Sequence, residues 1–159
     1  MLGVDILKTL VTLGTQKQPF DRLLNYIEQS NLNGEINVQA GKTKFGSSKM
    51  NIFDYVPYDE MNKMVEEADL IITHGGTGSI IGPLKKGKKV IACVRLEKYG
   101  EHVDDHQLEL VDTFCENGYI LKIDDDISLN KAMEQLESFD PKEFNSNTEN
   151  FKKILKENI

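Results

Sequence analysis

The residues best suited to chemistry lie along Ile71-Ile72-Thr73-His74-Gly75-Gly76-Thr77-Gly78-Ser79, where an apolar run breaks into a glycine-rich turn. Glycine lets a backbone turn sharply and approach a ligand with no Cβ in the way. A helix opening just beyond such a turn offers unpaired N–H groups and the positive end of its dipole to an anion. The pattern predicts a phosphate site and leaves the phosphorylated ligand open. The alternative is a purely structural turn between strand and helix.

Other segments could face the same ligand. Val11-Thr12-Leu13-Gly14-Thr15-Gln16 closes an earlier apolar run ahead of Pro19. In a parallel sheet its Gly14 and Thr15 lie on the same edge as the glycine loop. A third segment, Arg95 to Gln107, follows another core run and gathers polar and charged groups able to read hydroxyls; Arg95 could neutralise a phosphate. Its alternative is a solvated loop in which Asp104 caps a helix.

Histidines and acids raise rival chemistries. His102 and His106, with Asp104 or Asp105, suggest metal binding, but a helix starting at Asp104 gives no assured common face, so no metal is expected. His74 is either a base or a hydrogen-bonding residue of the turn. Asp124-Asp125-Asp126 reads as a solvated turn, and Cys93 as core packing. Cys93 and Cys115 have neither metal-ligand nor disulfide-framework spacing, which suits a reducing cytoplasm.

The elements that must position these groups follow from periodicity. Apolar runs at Ile6 to Leu13, Ile36 to Ala40, Asn51 to Tyr55, Leu70 to Thr73, Val90 to Val94 and Tyr119 to Ile123 read as strands. Helical faces are marked by Phe20, Leu23, Leu24 and Ile27 after Pro19, and by Met61, Met64, Val65 and Ala68 after Pro57. A helix is expected to start near Gly78 or Ser79, keeping Pro83 near its first turn, and to end near Gly87. Asp104 and Gln107 then form a capping-box-like pair ahead of a buried stripe of Leu108, Val111, Phe114 and Cys115. Leu129, Ala132, Met133 and Leu136 define another helix, and Phe151, Ile154 and Leu155 a last one, over about 147–158. Residues 41–49 read as an exposed loop or weak hairpin. Strand and helix alternate, which predicts an α/β fold: a single Rossmann-like, doubly wound parallel sheet.

Composition bounds the function. A chain of 159 residues with 39% hydrophobic residues suits one domain, 1–159, with a sizeable core. A net charge of -7 and a pI near 5.0 argue against a general nucleic-acid binder, so any phosphate site is local. Apolar runs fall far short of the roughly 20 residues that span a bilayer. The N-terminus lacks the basic and apolar regions of a secretory signal, and a cytoplasmic protein is expected.

Taken together, three segments resemble the C-terminal-domain family of glycosyltransferase family 28. They are Val11-Thr12-Leu13-Gly14-Thr15 with Pro19-Phe20-Asp21-Arg22-Leu23, then Thr73-His74-Gly75-Gly76-Thr77-Gly78-Ser79-Ile80, then Gly100-Glu101-His102-Val103-Asp104-Asp105-His106-Gln107-Leu108-Glu109-Leu110. The sequence looks most like small bacterial exopolysaccharide and capsule subunits that form one half of a split glycosyltransferase. It is distantly similar to the soluble subunit of the dolichol-linked N-acetylglucosaminyltransferase.

The resemblance implies the C-terminal, donor-binding half of a GT-B enzyme that transfers a hexose, galactose or N-acetylglucosamine, from a UDP-sugar with inversion. UDP-sugar is then substrate, and no cofactor is implied. It implies a membrane-associated partner that carries the acceptor-side domain to a polyprenyl-linked acceptor at the inner face of the membrane, with the terminal helix a candidate for docking. The alternative is a non-catalytic enhancer of such an enzyme. By motif position, Gly75, Gly76, Thr77, Gly78 and Ser79 would contact the diphosphate, His106 and Gln107 would face the sugar or diphosphate, Gly14 and Thr15 would line the facing turn, and Arg95 would meet donor charge. The base is unassigned, with His74 and His106 as candidates. The sequence departs from the family at Gly82-Pro83, where many full-length members place an acid that holds the ribose. A phosphoacceptor signalling domain is a further class, but it needs clustered acids at early strand ends, where this chain has Thr12-Leu13-Gly14-Thr15.

Overall fold

The computed structural model describes residues 7–144. The expected terminal helix at 147–158 lies outside the described residues. Six strands form one sheet: β1 (Lys8–Thr12), β2 (Glu35–Gln39), β3 (Asn51–Phe53), β4 (Leu70–Thr73), β5 (Lys89–Cys93) and β6 (Leu121–Ile123). Five helices accompany them: α1 (Asp21–Gln29), α2 (Tyr58–Glu67), α3 (Thr77–Lys85), α4 (His106–Glu116) and α5 (Leu129–Ser138). Every pairing is parallel and the spatial order is β3-β2-β1-β4-β5-β6, the doubly wound arrangement expected from the sequence.

Alternation along each strand divides the core in two. Val11, Leu13, Ile72, Ile91 and Cys93 face α1 and α5, whereas Leu10, Ile71, Val90 and Ala92 face α2, α3 and α4. With helices on both faces, all four residues of β4 are buried, and the strand reads as a continuous apolar run. Cys93 is core packing, and burial pushes its thiol up to about 12, so it is no thiolate at neutral pH.

Local chemistry sets several boundaries differently from the expected ones. Helix α3 opens at Thr77 and carries Pro83 within it, not in its first turn. The chain leaves the helix soon afterwards: Gly87, at φ 72°, donates to Leu84 O, and Lys88 N donates to Pro83 O. These two bonds satisfy carbonyls that the helix end leaves open, and the left-handed turn favours glycine. Helix α4 opens at His106, not at Asp104, although Asp104 Oδ1 still accepts the His106 N–H at 2.9 Å. Its buried face is Gln107, Leu110, Val111 and Phe114; Leu108, expected in the stripe, is exposed. Residues 41–49 form no hairpin. Thr43 is buried there and accepts the Phe20 N–H at 3.0 Å, while Phe45 and Met50 close the α1 face of the sheet where no helix joins β2 to β3.

Candidate functional site

From β1 the chain winds one way across the sheet, through β2 to β3, and from β4 it winds the other, through β5 to β6. The carboxyl ends of β1 and β4 therefore flank the crevice in which doubly wound sheets take ligands. Thr12 and Thr73 are paired in register there, and their hydroxyls meet at 2.6 Å. Just beyond them the Gly14 turn and the His74 loop face each other, as the sequence predicts.

What fills the space between them is His74 itself. A Cβ on Gly14 would lie 2.6 Å from its Nε2, and one on Gly76 would lie 2.3 Å from its Cε1. A Cβ on Gly75 would meet the Gln107 side chain at 2.8 Å. Three glycines that the motif suggests for ligand approach thus make room for two side chains of the protein. Gly78 has open space at its Cβ position and is exposed.

Hydrogen bonds divide the loop's donors in the same way. Gly75 N–H donates to Gln107 Oε1 at 3.2 Å and Gly76 N–H to His74 Nδ1 at 3.2 Å. The first bond of the α3 ladder runs from Ile80 N to Gly76 O. Thr77, Gly78 and Ser79 therefore present first-turn N–H groups with no partner inside the helix. With the hydroxyls of Thr77 and Ser79 they leave a short row of donors at the positive end of a nine-residue helix, a geometry that could cradle an anion.

His74 is buried between these groups, and its Nε2 lies 3.1 Å from Ser79 Oγ. Burial first, then the Arg95 charge and His102, push its pKa down to about 4, so the ring is neutral in ordinary buffers. Both ring nitrogens are engaged within the protein, which fits the hydrogen-bonding alternative and not a base open to a substrate. Gln107 is likewise buried and spends its amide on Gly75 and His74, so it supports the loop. His106 and Thr15 stand exposed at this edge.

Arg95 is turned into the protein. It is 1% exposed. Its Nε and Nη2 donate to Leu13 O at 3.2 and 2.6 Å, and its Nη1 to Gln18 O and Glu101 O at 2.7 and 2.9 Å. The sequence reading offers Arg95 to donor charge; in the structure its guanidinium is spent on carbonyls that tie β1, the turn before α1 and the loop after β5 together. Burial lowers its pKa to about 10, which leaves it charged at neutral pH.

A second arginine, missed from sequence, governs the same loop. Arg22 on α1 holds Glu101 with Nη2–Oε1 at 2.9 Å and Nε–Oε2 at 3.0 Å, and donates to Val94 O at 2.6 Å. Its guanidinium also lies over Tyr99, 4.9 Å from the ring centroid. Tyr26 and Tyr99 both donate to Asp125, and these bonds hold its carboxyl below the usual range. The acidic run is thus more than a solvated turn, since Asp125 latches two elements. The available signal was Arg22 and Tyr26 four residues apart on one helical face.

Beside the cradle, α2 and α3 leave a groove of about 250 Å³ lined by Leu10, Thr12, Tyr58, Met61, Ser79 and Gly82, among others. Gly82 stands on its wall with open space at its Cβ position. Among the described residues no group of three His, Cys, Asp or Glu side chains is placed to hold a metal, and no helix is long and apolar enough to cross a membrane.

Comparisons with known proteins agree with the fold. The model of the glycosyltransferase family 28 C-terminal domain matches residues 8–159. The UDP-N-acetylglucosamine transferase subunit ALG13 of Candida albicans is 34% identical over 88 residues, which are 55% of this chain and 29% of that protein. The Saccharomyces cerevisiae protein of the same name is 32% identical over 75 residues, 46% of this chain and 35% of that one. The matched segment thus spans about a third of the length of these curated relatives. Among solved structures, that of ALG13 superposes with a TM-score of 0.56 at 21% identity, covering 92% of this chain and 88% of that chain. The glycosyltransferase of kitacinnamycin gives 0.60 at 18% identity, covering 97% of this chain but 40% of that enzyme. The shared fold is one half of a GT-B glycosyltransferase.

Proposed function

The chain belongs to the glycosyltransferase family 28 C-terminal domain family, and from that premise we propose that it is the donor-binding subunit of an inverting, UDP-sugar-dependent hexosyltransferase. The observation that carries this reading is the set of first-turn N–H groups at Thr77, Gly78 and Ser79, standing at the switch point of the sheet beside an open groove. The diphosphate would rest on the cradle and the nucleoside in the groove between α2 and α3. Gly14, Thr15 and His106 line the facing side of the same edge, with galactose or N-acetylglucosamine as the transferred sugar.

In an inverting displacement the acceptor hydroxyl oxygen forms a bond to the anomeric carbon as the bond to the diphosphate oxygen breaks. The electron pair leaves on that oxygen, and the hydroxyl proton passes to a base. Oriented N–H donors and the α3 dipole favour the charge growing on the diphosphate, with no metal invoked. The base would come from a membrane-associated partner, since His74 is enclosed, has both ring nitrogens engaged and, with a pKa lowered to about 4, is a weak proton acceptor. That partner would hold a lipid-linked acceptor of polysaccharide assembly and keep this chain at the inner membrane face. Support for a partner comes from the curated relatives, which are named as subunits of a UDP-N-acetylglucosamine transferase.

Isothermal titration with UDP, UDP-galactose and UDP-N-acetylglucosamine tests the reading. Binding to the folded chain, alone or with a membrane protein that co-purifies with it, is expected. Absence of binding in both preparations would sink it. The enclosure of His74 also suits a non-catalytic enhancer. That second reading wins if the partner alone reaches full turnover with radiolabelled donor.

A further inference from the structure

The hydrogen bonds around His74 fix the place of its proton, and through it the direction of a second one. A backbone N–H can only donate, so the bond from Gly75 N to Gln107 Oε1 orients that amide and turns its Nε2 toward His74 Nδ1, 3.4 Å away. Gly76 N–H donates to the same Nδ1 at 3.2 Å. A ring nitrogen that receives two donors carries no hydrogen. The neutral imidazole therefore bears its single hydrogen on Nε2, 3.1 Å from Ser79 Oγ. Ser79 accepts this bond, and its own hydrogen is left to point at some other acceptor. Ser79 stands in the first turn of α3, on the rim of the groove and next to the exposed backbone of Gly78.

We propose that His74 is a positioning residue for anion binding: its Nε2–H holds the Ser79 oxygen so that the Ser79 hydroxyl donates outward, to a phosphate oxygen of the bound nucleotide. The inference rests on the diphosphate reading given above. It assigns Gly14 and Gly76 a purpose that phosphate approach does not, since each leaves room for the ring. It also separates the role of His74 from that of a base, because the ring neither gains nor loses a proton in the cycle. A hydroxyl free to rotate would spend part of its time with its hydrogen toward the ring; the Nε2–H removes that state, and the donor is already aimed before the ligand arrives.

A double-mutant cycle read by UDP titration tests this. Ser79→Ala is expected to raise the UDP Kd about tenfold, the loss of one hydrogen bond to a charged group. His74→Asn keeps an acceptor near Gly76 N but has no group at the Nε2 position, and is expected to raise the Kd several-fold in the wild-type background and not at all beside Ser79→Ala. His74→Gln, whose amide N–H reaches toward Ser79, should recover part of the loss. If wild-type protein binds UDP and the two substitutions act additively, the positioning role is overturned. If wild-type protein binds no UDP either alone or with the membrane protein that co-purifies with it, the diphosphate reading falls and this inference with it. Should His74→Asn fail to fold, nitrogen-15 spectra of histidine-labelled wild-type protein decide the matter: hydrogen on Nε2 at neutral pH supports the proposal, and hydrogen on Nδ1 overturns it.

Discussion

The imidazole of His74 occupies the place of the side chain that Gly14 lacks: a β-carbon there would sit 2.6 Å from His74 Nε2. Gly14 also has a φ of 81°, which a side chain resists. Strands β1 and β4 are thus joined at their ends by one ring fitted against one backbone.

Gly14→Ala should therefore destabilise the fold by about 2–4 kcal/mol, from the left-handed backbone and the overlap with the ring combined. Urea unfolding measures it. Gly78→Ala, where the Cβ meets open space and φ is not positive, should leave unfolding within about 0.5 kcal/mol of wild type or stabilise it slightly. Its effect should appear in UDP titration as weaker binding. Equal unfolding penalties for the two variants would contradict the packing account.

Stability should depend on pH through His74. Its pKa in the fold, about 4, lies below the 6.5 of an ordinary histidine, so between these values the unfolded chain binds more protons than the native one. Stability is then complete above about pH 6.5 and is lost progressively as pH falls toward 4. The loss amounts to about 3–4 kcal/mol at most, taking roughly 1.4 kcal/mol for each pKa unit. Urea midpoints collected from pH 4 to 7.5 should show this slope for wild type and a shallower one for His74→Gln.

Arg95→Met should cost about 3 kcal/mol or more, because it removes a buried cation and strands the carbonyls of Leu13, Gln18 and Glu101. If Arg95 instead served the ligand, the variant would unfold like wild type and lose UDP binding. Unfolding and titration together separate the two outcomes.

Arg22→Met removes the partner of Glu101, whose side chain is 5% exposed, and leaves that carboxylate buried without its cation. A loss of about 3 kcal/mol is expected. Because Glu101 Oε1 also accepts the Leu96 N–H, the loop after β5 should become sensitive to limited proteolysis between Leu96 and Asp105. Unchanged cleavage would show that the loop is held by other means.

The sequence by itself determined the alternation of elements, and with it the doubly wound sheet, because burial on both faces leaves continuous apolar runs such as Leu70 to Thr73. It also placed the Gly14 turn and the His74 loop on one edge, since parallel strands end together. Local pattern could not tell which groups at that edge are spent on the protein and which are left for a ligand. That division depends on partners far apart in the chain: Gly75 with Gln107, 32 residues on, and Arg95 with Leu13, 82 residues back. A glycine reads the same whether it admits a phosphate or an imidazole, and an arginine reads the same whether it meets an anion or three carbonyls. Only the packed sheet brings those partners within hydrogen-bonding distance, and so only the tertiary structure reduced a nine-residue motif to the few donors of Thr77, Gly78 and Ser79.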